Sequence, residues 1–292
     1  MKNWFITGVS RGIGKALAEA ALARGDTVVG TVRESKPQIA ERKGTFHCLP
    51  LEIRDPKAIE TTISRAFELA GGLDVVVNNA GYGLLSPVED VSDAEMARLF
   101  EVNVFGPLRV IRAVLPRLRA QRSGHIINIT SIAGRAPNAG SGVYAATKAA
   151  LEGLSQSLSQ EVGPLGIKVT AVAPGAFRTD FLSDHSIRKT NSRSDDYTAS
   201  AGKVIEYLGT MDGKQIGDPD RGALGILAAV DSDTPPLHLL LGSDALRRAR
   251  EKLDDVIDEI DRWEQVTRST DFPAEAAPKT PTASAGSRAV PI

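Results

Sequence analysis

Asn3-Trp4-Phe5-Ile6-Thr7-Gly8-Val9-Ser10-Arg11-Gly12-Ile13-Gly14 decides how this chain folds. A short apolar run over residues 3–7 reads as a strand, and from about residue 12 to 24 the apolar positions take on a helical period. Between them glycines recur at 8, 12 and 14. A tight turn uses glycine to reach positive φ, and a side chain at Gly14 would hold off a phosphate or a neighbouring strand. The turn delivers the chain into a helix N-terminus, where backbone N–H groups and the positive end of the dipole face any anion placed there. Taken alone, the glycine spacing is shifted from the usual dinucleotide fingerprint, and a glycine-rich turn with no ligand stays open as a reading.

Outward from this turn, strand-like runs near 26–32, 45–51, 73–77, 124–130, 167–172 and 237–241 alternate with helical segments near 56–70, 93–105, 107–121, 142–163 and 218–230. With the first run that makes seven strands, and the alternation predicts a doubly wound parallel sheet with helices on both faces. Pro107 and Pro116 are expected to break or kink the long middle stretch. Residues 183–217 turn polar and irregular, which reads as a lid or mobile binding loop. Leu246, Ala249, Leu253, Val256, Ile260 and Trp263 then form a stripe at 3,4 spacing, to be covered by the chain's own domain or by a sister subunit. The expected organisation is a catalytic domain over 1–245, a helix over 246–270 and a disordered, Pro-, Ala-, Ser- and Thr-rich tail over 271–292.

Composition narrows the partners. With 35 basic and 36 acidic residues the net charge is −1, which offers no field to gather nucleic acid or an anionic membrane. Cys48 is the only cysteine, and His47, His125, His185 and His238 lack the spacings that hold zinc, so neither an internal disulfide nor a metal site is expected. No leader pattern precedes the first strand and no apolar run is long enough to span a bilayer, so the expected location is the cytoplasm.

Chemistry is suggested by Tyr144-Ala-Ala-Thr-Lys148, with Ser131 thirteen residues upstream. A tyrosine and a lysine four apart share one helix face. Moving a hydride from a secondary alcohol requires a base for the hydroxyl proton, and a nearby ammonium favours the phenolate that could act as one. No His and acid pair places Ser131 in a hydrolytic triad.

Taken in order, TGVSRGIG, then Asn78-Asn79-Ala80-Gly81, then Ser131 and YAATK resemble the short-chain dehydrogenase/reductase family over residues 3 to about 245. The run NVFGPLRV is similar to its 17β-hydroxysteroid dehydrogenase-like branch. The resemblance implies a Rossmann-type fold and a catalytic set of Asn103, Ser131, Tyr144 and Lys148. Tyr144 would be the general acid/base, Lys148 would hold the nicotinamide ribose, Ser131 would bond the substrate oxygen, and Asn103 would hold a water in a distorted helix.

The implied cofactor contacts are Thr7, Gly8, Ser10, Arg11, Gly12, Ile13 and Gly14 in the turn, Arg33, Glu52 and Ile53 at the adenosine end, and Asn79, Ala80 and Gly81. Tyr144, Lys148, Pro174, Gly175 and Thr179 would meet the nicotinamide end. Arg33 and Arg11 stand where basic residues mark relatives that prefer NADP, because a guanidinium fork suits a 2′-phosphate. Glu34 is the neighbour that could instead favour NAD. Glu52 replaces the aspartate expected to meet the adenine amino group.

A mainly apolar pocket is expected from Tyr82, Leu84, Ala133, Val143, Phe177 and Phe181 beside Ser131 and Tyr144, suited to a lipophilic ketone or alcohol. Small residues on the 142–163 helix suggest a homodimer or homotetramer. The leading expectation is an NADP-dependent oxidoreductase. The alternatives are a dinucleotide-sensing protein without turnover, and an epimerase or dehydratase on the same fold.

Overall fold

The computed structural model describes residues 1–34, 37–39, 43–183, 186–190 and 195–272. Seven strands, β1 (Asn3–Ile6), β2 (Thr27–Val32), β3 (Thr45–Pro50), β4 (Val75–Asn78), β6 (Gly124–Ile129), β7 (Ile167–Pro174) and β9 (His238–Leu241), form one sheet in the order β3-β2-β1-β4-β6-β7-β9. Every pairing is parallel. These are the seven runs read from the sequence. A small second sheet of β5 (Gly83–Leu85) and β8 (Ile187–Lys189) lies outside that reading.

Side chains alternate across the strands and explain why helices must cover both faces. Trp4, Ile6, Val28, Val75, Val77 and Ile127 join one core with Leu17 of α1 (Gly12–Ala23) and Ile226 of α7 (Pro219–Asp231). Phe5, Val29, Val76 and Ile126 join the other, with Ile59 of α2 (Pro56–Ala70), Val114 of α4 (Gly106–Gln121) and Leu158 of α5 (Gly142–Val162). Burial on both sides is why these strands read as continuous apolar runs rather than alternating ones. Strand order reverses between β1 and β4, so the loops after Ile6 and Asn78 flank the crevice where open α/β sheets bind ligands.

The middle stretch departs from expectation. α3 (Asp93–Phe100) opens on a capping box of Ser92 and Glu95, passes into a π-helical turn at Glu101–Phe105 and continues as α4. Pro107 falls in the first turn of α4, where its missing N–H costs nothing, and the helix runs on past Pro116. The distortion therefore sits at the π turn rather than at a proline, and Asn103 is at its centre.

The described part of the polar segment after residue 183 carries more regular structure than the sequence pattern shows. Besides β8, it holds a short 3₁₀ turn at Asp195–Tyr197, a π turn at Thr198–Gly202 and α6 (Lys203–Thr210). Val204, Ile205 and Leu208 give α6 a half-buried face, a signal too short to stand out beside the polar run before it.

The chain divides into two compact units, Met1–Ala249 and Arg250–Ile292. Helix α8 (Ser243–Arg268) starts in the first, where Ala245 and Ala249 are buried with Ile132, and supplies the described structure of the second. Of the expected stripe, Ala249 is buried and Val256 half-buried, whereas Leu253, Ile260 and Trp263 are each more than half exposed. The expected disordered tail falls, from residue 273 on, outside the described residues. Among the described residues no helix is long and apolar enough to cross a membrane.

Candidate active site

The glycine turn is held by its neighbours' side chains. Gly8 and Gly12 take φ of 74° and 60°, the left-handed region that a side chain disfavours. Thr7 Oγ1 accepts from Asn79 N at 2.9 Å and Ala80 N at 3.0 Å, while Asn79 Nδ2 donates to Thr7 O at 2.9 Å and Gly8 O at 2.8 Å. A Cβ on Gly14 would lie 2.9 Å from Asn79 Cγ and closer still to its Nδ2, so glycine there lets α1 close onto this clasp. Asn78 ties β4 to β6 through Asn128 Oδ1 at 2.8 Å, and Asn128 Nδ2 reaches Ser155 on α5 at 2.8 Å.

The turn leads into α1 with no side-chain cap and no acidic residue in the first turn, an end receptive to an anion. This glycine-lined, uncapped turn fits the pyrophosphate of a dinucleotide. Thr179 approaches Gly12, where a Cβ would stand 3.6 Å from Thr179 Cβ, so the segment after β7 reaches the same turn.

The expected catalytic residues converge. Tyr144 and Lys148 lie one helical turn apart on α5 and are both buried. Lys148 Nζ donates to Ile129 O at 2.9 Å and lies 5.8 Å from the centroid of the Tyr144 ring. Ser131, just past β6, accepts from Ala133 N at 3.1 Å and lies near enough to Tyr144 to act on its phenol. Asn103 accepts from Tyr82 N at 3.1 Å and donates to Tyr82 O at 2.9 Å and Thr147 Oγ1 at 3.2 Å. A Cβ on Gly81 would meet Asn103 Oδ1 at 3.1 Å and Lys148 Nζ at 3.7 Å, so the Asn79–Gly81 backbone passes beside this group.

Electrostatics refine the sequence argument, in which the ammonium favours a phenolate. Burial pushes Tyr144 up to about 12, with the Ser131 hydroxyl pulling weakly the other way. Tyr144 is thus a phenol at neutral pH. Burial brings Lys148 down to about 8, opposed by the Glu152 carboxylate one turn further along α5. Glu152 is itself gripped by Thr130 Oγ1 at 2.5 Å and Arg135 Nη2 at 2.7 Å. No motif singled out Glu152; its i, i+4 relation to Lys148 was the available signal.

Beside Tyr144 lies an apolar cluster of Leu84, Leu99, Tyr82, Val91, Ala133, Val143 and Phe181. The Phe181 and Tyr144 ring centroids are 6.0 Å apart with the planes tilted by 48°. Five of the six expected pocket residues are here, and the sixth, Phe177, is not. Phe177 belongs to the core under α7, where a Cβ on Gly222 would come within 2.6 Å of its ring. Its ring fills space between β7 and α7, which corrects its expected place in the pocket. Sequence reading also missed Ile187: a Cβ on Gly83 would stand 2.9 Å from Ile187 Cγ1 and 3.2 Å from Phe181 Cζ, so both cover the β5 edge.

At the adenosine end, Gly8 N and Val9 N donate to Thr31 O, which sets the turn against the end of β2. Arg33, two residues on, is exposed and pairs with Glu34 at 3.0 Å. The Glu52 carboxylate is engaged by Arg54 Nε and Nη2, both at 2.9 Å, and by Arg54 N at 3.0 Å. That fork holds Glu52 down at about 2. Glu52 thus meets Arg54 in this structure, and Ile53 is buried against the α2 side of the sheet.

A doubly wound sheet, with an uncapped glycine turn at its switch point and a buried tyrosine and lysine alongside, defines a Rossmann-type oxidoreductase. The chain belongs to the short-chain dehydrogenase family, whose model matches residues 2–190. It is 36% identical over 270 residues to oxidoreductase BOA17 of Botryotinia fuckeliana, spanning 91% of this chain and 98% of that one. A short-chain dehydrogenase from Streptomyces avermitilis superposes with a TM-score of 0.83 at 38% identity, covering 93% of this chain and all of the other. An alcohol dehydrogenase from Thermococcus sibiricus, solved with 5-hydroxy-NADP, gives a TM-score of 0.68 at 26% identity over 82% of this chain and 96% of its own.

Proposed function

We propose that this oxidoreductase interconverts a lipophilic ketone and its secondary alcohol with NADP(H). The observation that carries the reading is the meeting of protonated Tyr144 with Ser131 and Lys148 beside an apolar cluster and next to the clasped glycine turn. A bound nicotinamide supplies or accepts the hydride. Tyr144, held as a phenol by burial, donates its proton to the carbonyl oxygen in the reducing direction and takes it back from the alcohol in the other. Ser131 bonds the same oxygen as charge develops on it. The Lys148 ammonium lowers the cost of the phenolate that remains, and Glu152 helps keep that ammonium charged.

The cluster around Leu84 and Phe181 suits an apolar substrate, in keeping with the 17β-hydroxysteroid dehydrogenase-like branch that residues 103–110 resemble. For the cofactor choice, Arg33 and Arg11 offer planar forks to a 2′-phosphate, which must win Arg33 from Glu34. The exposed small residues Ala146, Ala149, Ala150 and Gly153 on α5 support assembly through that helix, and a monomer by light scattering would refute it.

Two measurements test the reading. In Tyr144→Phe, turnover should fall by about 10²–10⁴-fold, the usual worth of a general acid, with reduced cofactor still bound. Side-by-side titration should give tighter NADPH than NADH, and equal or NADH-favoured binding would reject the roles of Arg33 and Arg11. A rival reading, a dinucleotide sensor engaging a partner through the exposed apolar face of α8, would gain if Tyr144→Phe left biological activity unchanged.

A further inference from the structure

The segment after β7 is gripped from behind by a residue that neither the motifs nor the catalytic set includes. Asp244, in the first turn of α8, accepts from Ala176 N through Oδ2 at 2.8 Å. Its other oxygen, Oδ1, is buried with no hydrogen-bond partner among the described residues. Two glycines make room for this carboxylate. A Cβ on Gly175 would stand 2.5 Å from Asp244 Cγ and nearer still to both oxygens, and one on Gly242 would stand 2.7 Å from Oδ1. Gly242 also takes φ of 98°, which turns the chain from β9 into α8 so that Asp244 faces the loop. Gly175 N meanwhile donates to Leu241 O at 2.8 Å, so the loop is fixed to β9 and α8 on adjacent residues. From there it runs to Thr179, which lies against Gly12.

We propose that Asp244 is a positioning residue for the nicotinamide end of the site. The carboxylate seated between Gly175 and Gly242 holds the 174–179 loop in register, and through it the first turn of α8 sets how tightly that end of the cofactor is held. Asp244 itself touches neither cofactor nor substrate. The inference rests on the nicotinamide reading above, and it gives Gly175 a purpose distinct from cofactor contact: space for an acid from another element.

The test compares two ligands on the full-length protein, NADPH and the 2′-phosphate of ADP-ribose, which keeps both riboses but lacks the nicotinamide ring. In Asp244→Ala, NADPH affinity by fluorescence titration should fall about tenfold, the worth of one charge-assisted hydrogen bond. Affinity for the truncated ligand should stay within about twofold, a shift well under one hydrogen bond. Asp244→Asn keeps an oxygen for Ala176 N and should recover most of the loss. Gly175→Ala should weaken NADPH by itself yet add little on top of Asp244→Ala, because the new methyl then enters vacated space. Equal weakening of both ligands, or unchanged NADPH binding in Asp244→Ala, would overturn the inference. Wild-type protein that binds neither NADPH nor NADH would instead fail the reading beneath it.

Discussion

Gly14→Ala is the substitution whose cost follows most directly from the geometry. The added Cβ would lie 2.9 Å from Asn79 Cγ, and nearer to Asn79 Nδ2 and Gly8 O, so backbone on one side and a clasped amide on the other leave it no room. If Asn79 yields, its bonds to Thr7 O and Gly8 O are lost, at about 1 kcal/mol each. If it stays, the overpacking costs about 1–3 kcal/mol. Against either stands a gain of up to about 1 kcal/mol for alanine over glycine in a helix. The net expectation is a loss of about 1–3 kcal/mol, which for a chain of this size lowers Tm by about 2–5 °C. Differential scanning calorimetry would measure it, with Gly209→Ala in α6 as the control. Outside the local helix the nearest described atom to an added Cβ there is Lys189 Nζ at 3.9 Å, so that change should be neutral or stabilising. A Gly14→Ala protein melting with or above wild type would refute the argument that α1 closes onto Asn79.

Other consequences can be checked separately. Burial holds His125 down at about 4 from an ordinary 6.5, so only the unfolded chain takes up its proton as pH falls through that interval. Stability should drop by about 3 kcal/mol between pH 6.5 and 4 on this account, and His125→Gln should flatten that slope in urea titrations. Glu152→Gln removes the carboxylate that favours the Lys148 ammonium, so the alkaline limb of kcat/KM for reduction should move to lower pH. An unmoved limb would deny Glu152 that influence. Leu253→Gln and Ile260→Gln alter side chains 61% and 60% exposed, so chemical denaturation of the isolated subunit should shift by less than about 0.5 kcal/mol. A large loss would mean that something covers the stripe.

The parts legible in the sequence were those with a strong local cause. Val75, Val76 and Val77 are all apolar because both faces of β4 are covered, and such runs announce parallel strands without any partner in view. Thr7 to Gly14, Asn79 and the Tyr144–Lys148 pair stood out because residue type and spacing together restrict their surroundings. What stayed hidden depends on neighbours distant in sequence. Phe177 reads as a pocket aromatic until Gly217 and Gly222 are found beneath its ring. Glu52 reads as an adenine acceptor until Arg54 is seen to engage both of its oxygens. The β5–β8 pair joins residues a hundred apart through strands of three residues, too short for a period to register. Proline misled because helices accept it in their first turn, as at Pro107, whereas the π turn at Glu101–Phe105 has no compositional mark.

The sheet's connectivity also governs how the chain must be made. Trp4, Phe5 and Ile6 find one neighbour in Thr27–Gly30, but the other, Val75–Val77, is translated some seventy residues later. At about 5–20 residues per second, that strand leaves the ribosome several seconds before its second edge can be filled. During that interval a strand whose Trp4, Phe5 and Ile6 are fully buried in the finished fold is an open template for pairing with another nascent chain. Packing by α1, through Leu17 and Leu22, and by α2, through Ile59 and Ile63, covers the two faces of that strand from within the chain already synthesised. Slow codons between Gly30 and Val75 would lengthen that exposure, and aggregation during expression should be more sensitive to them there than after Ile129.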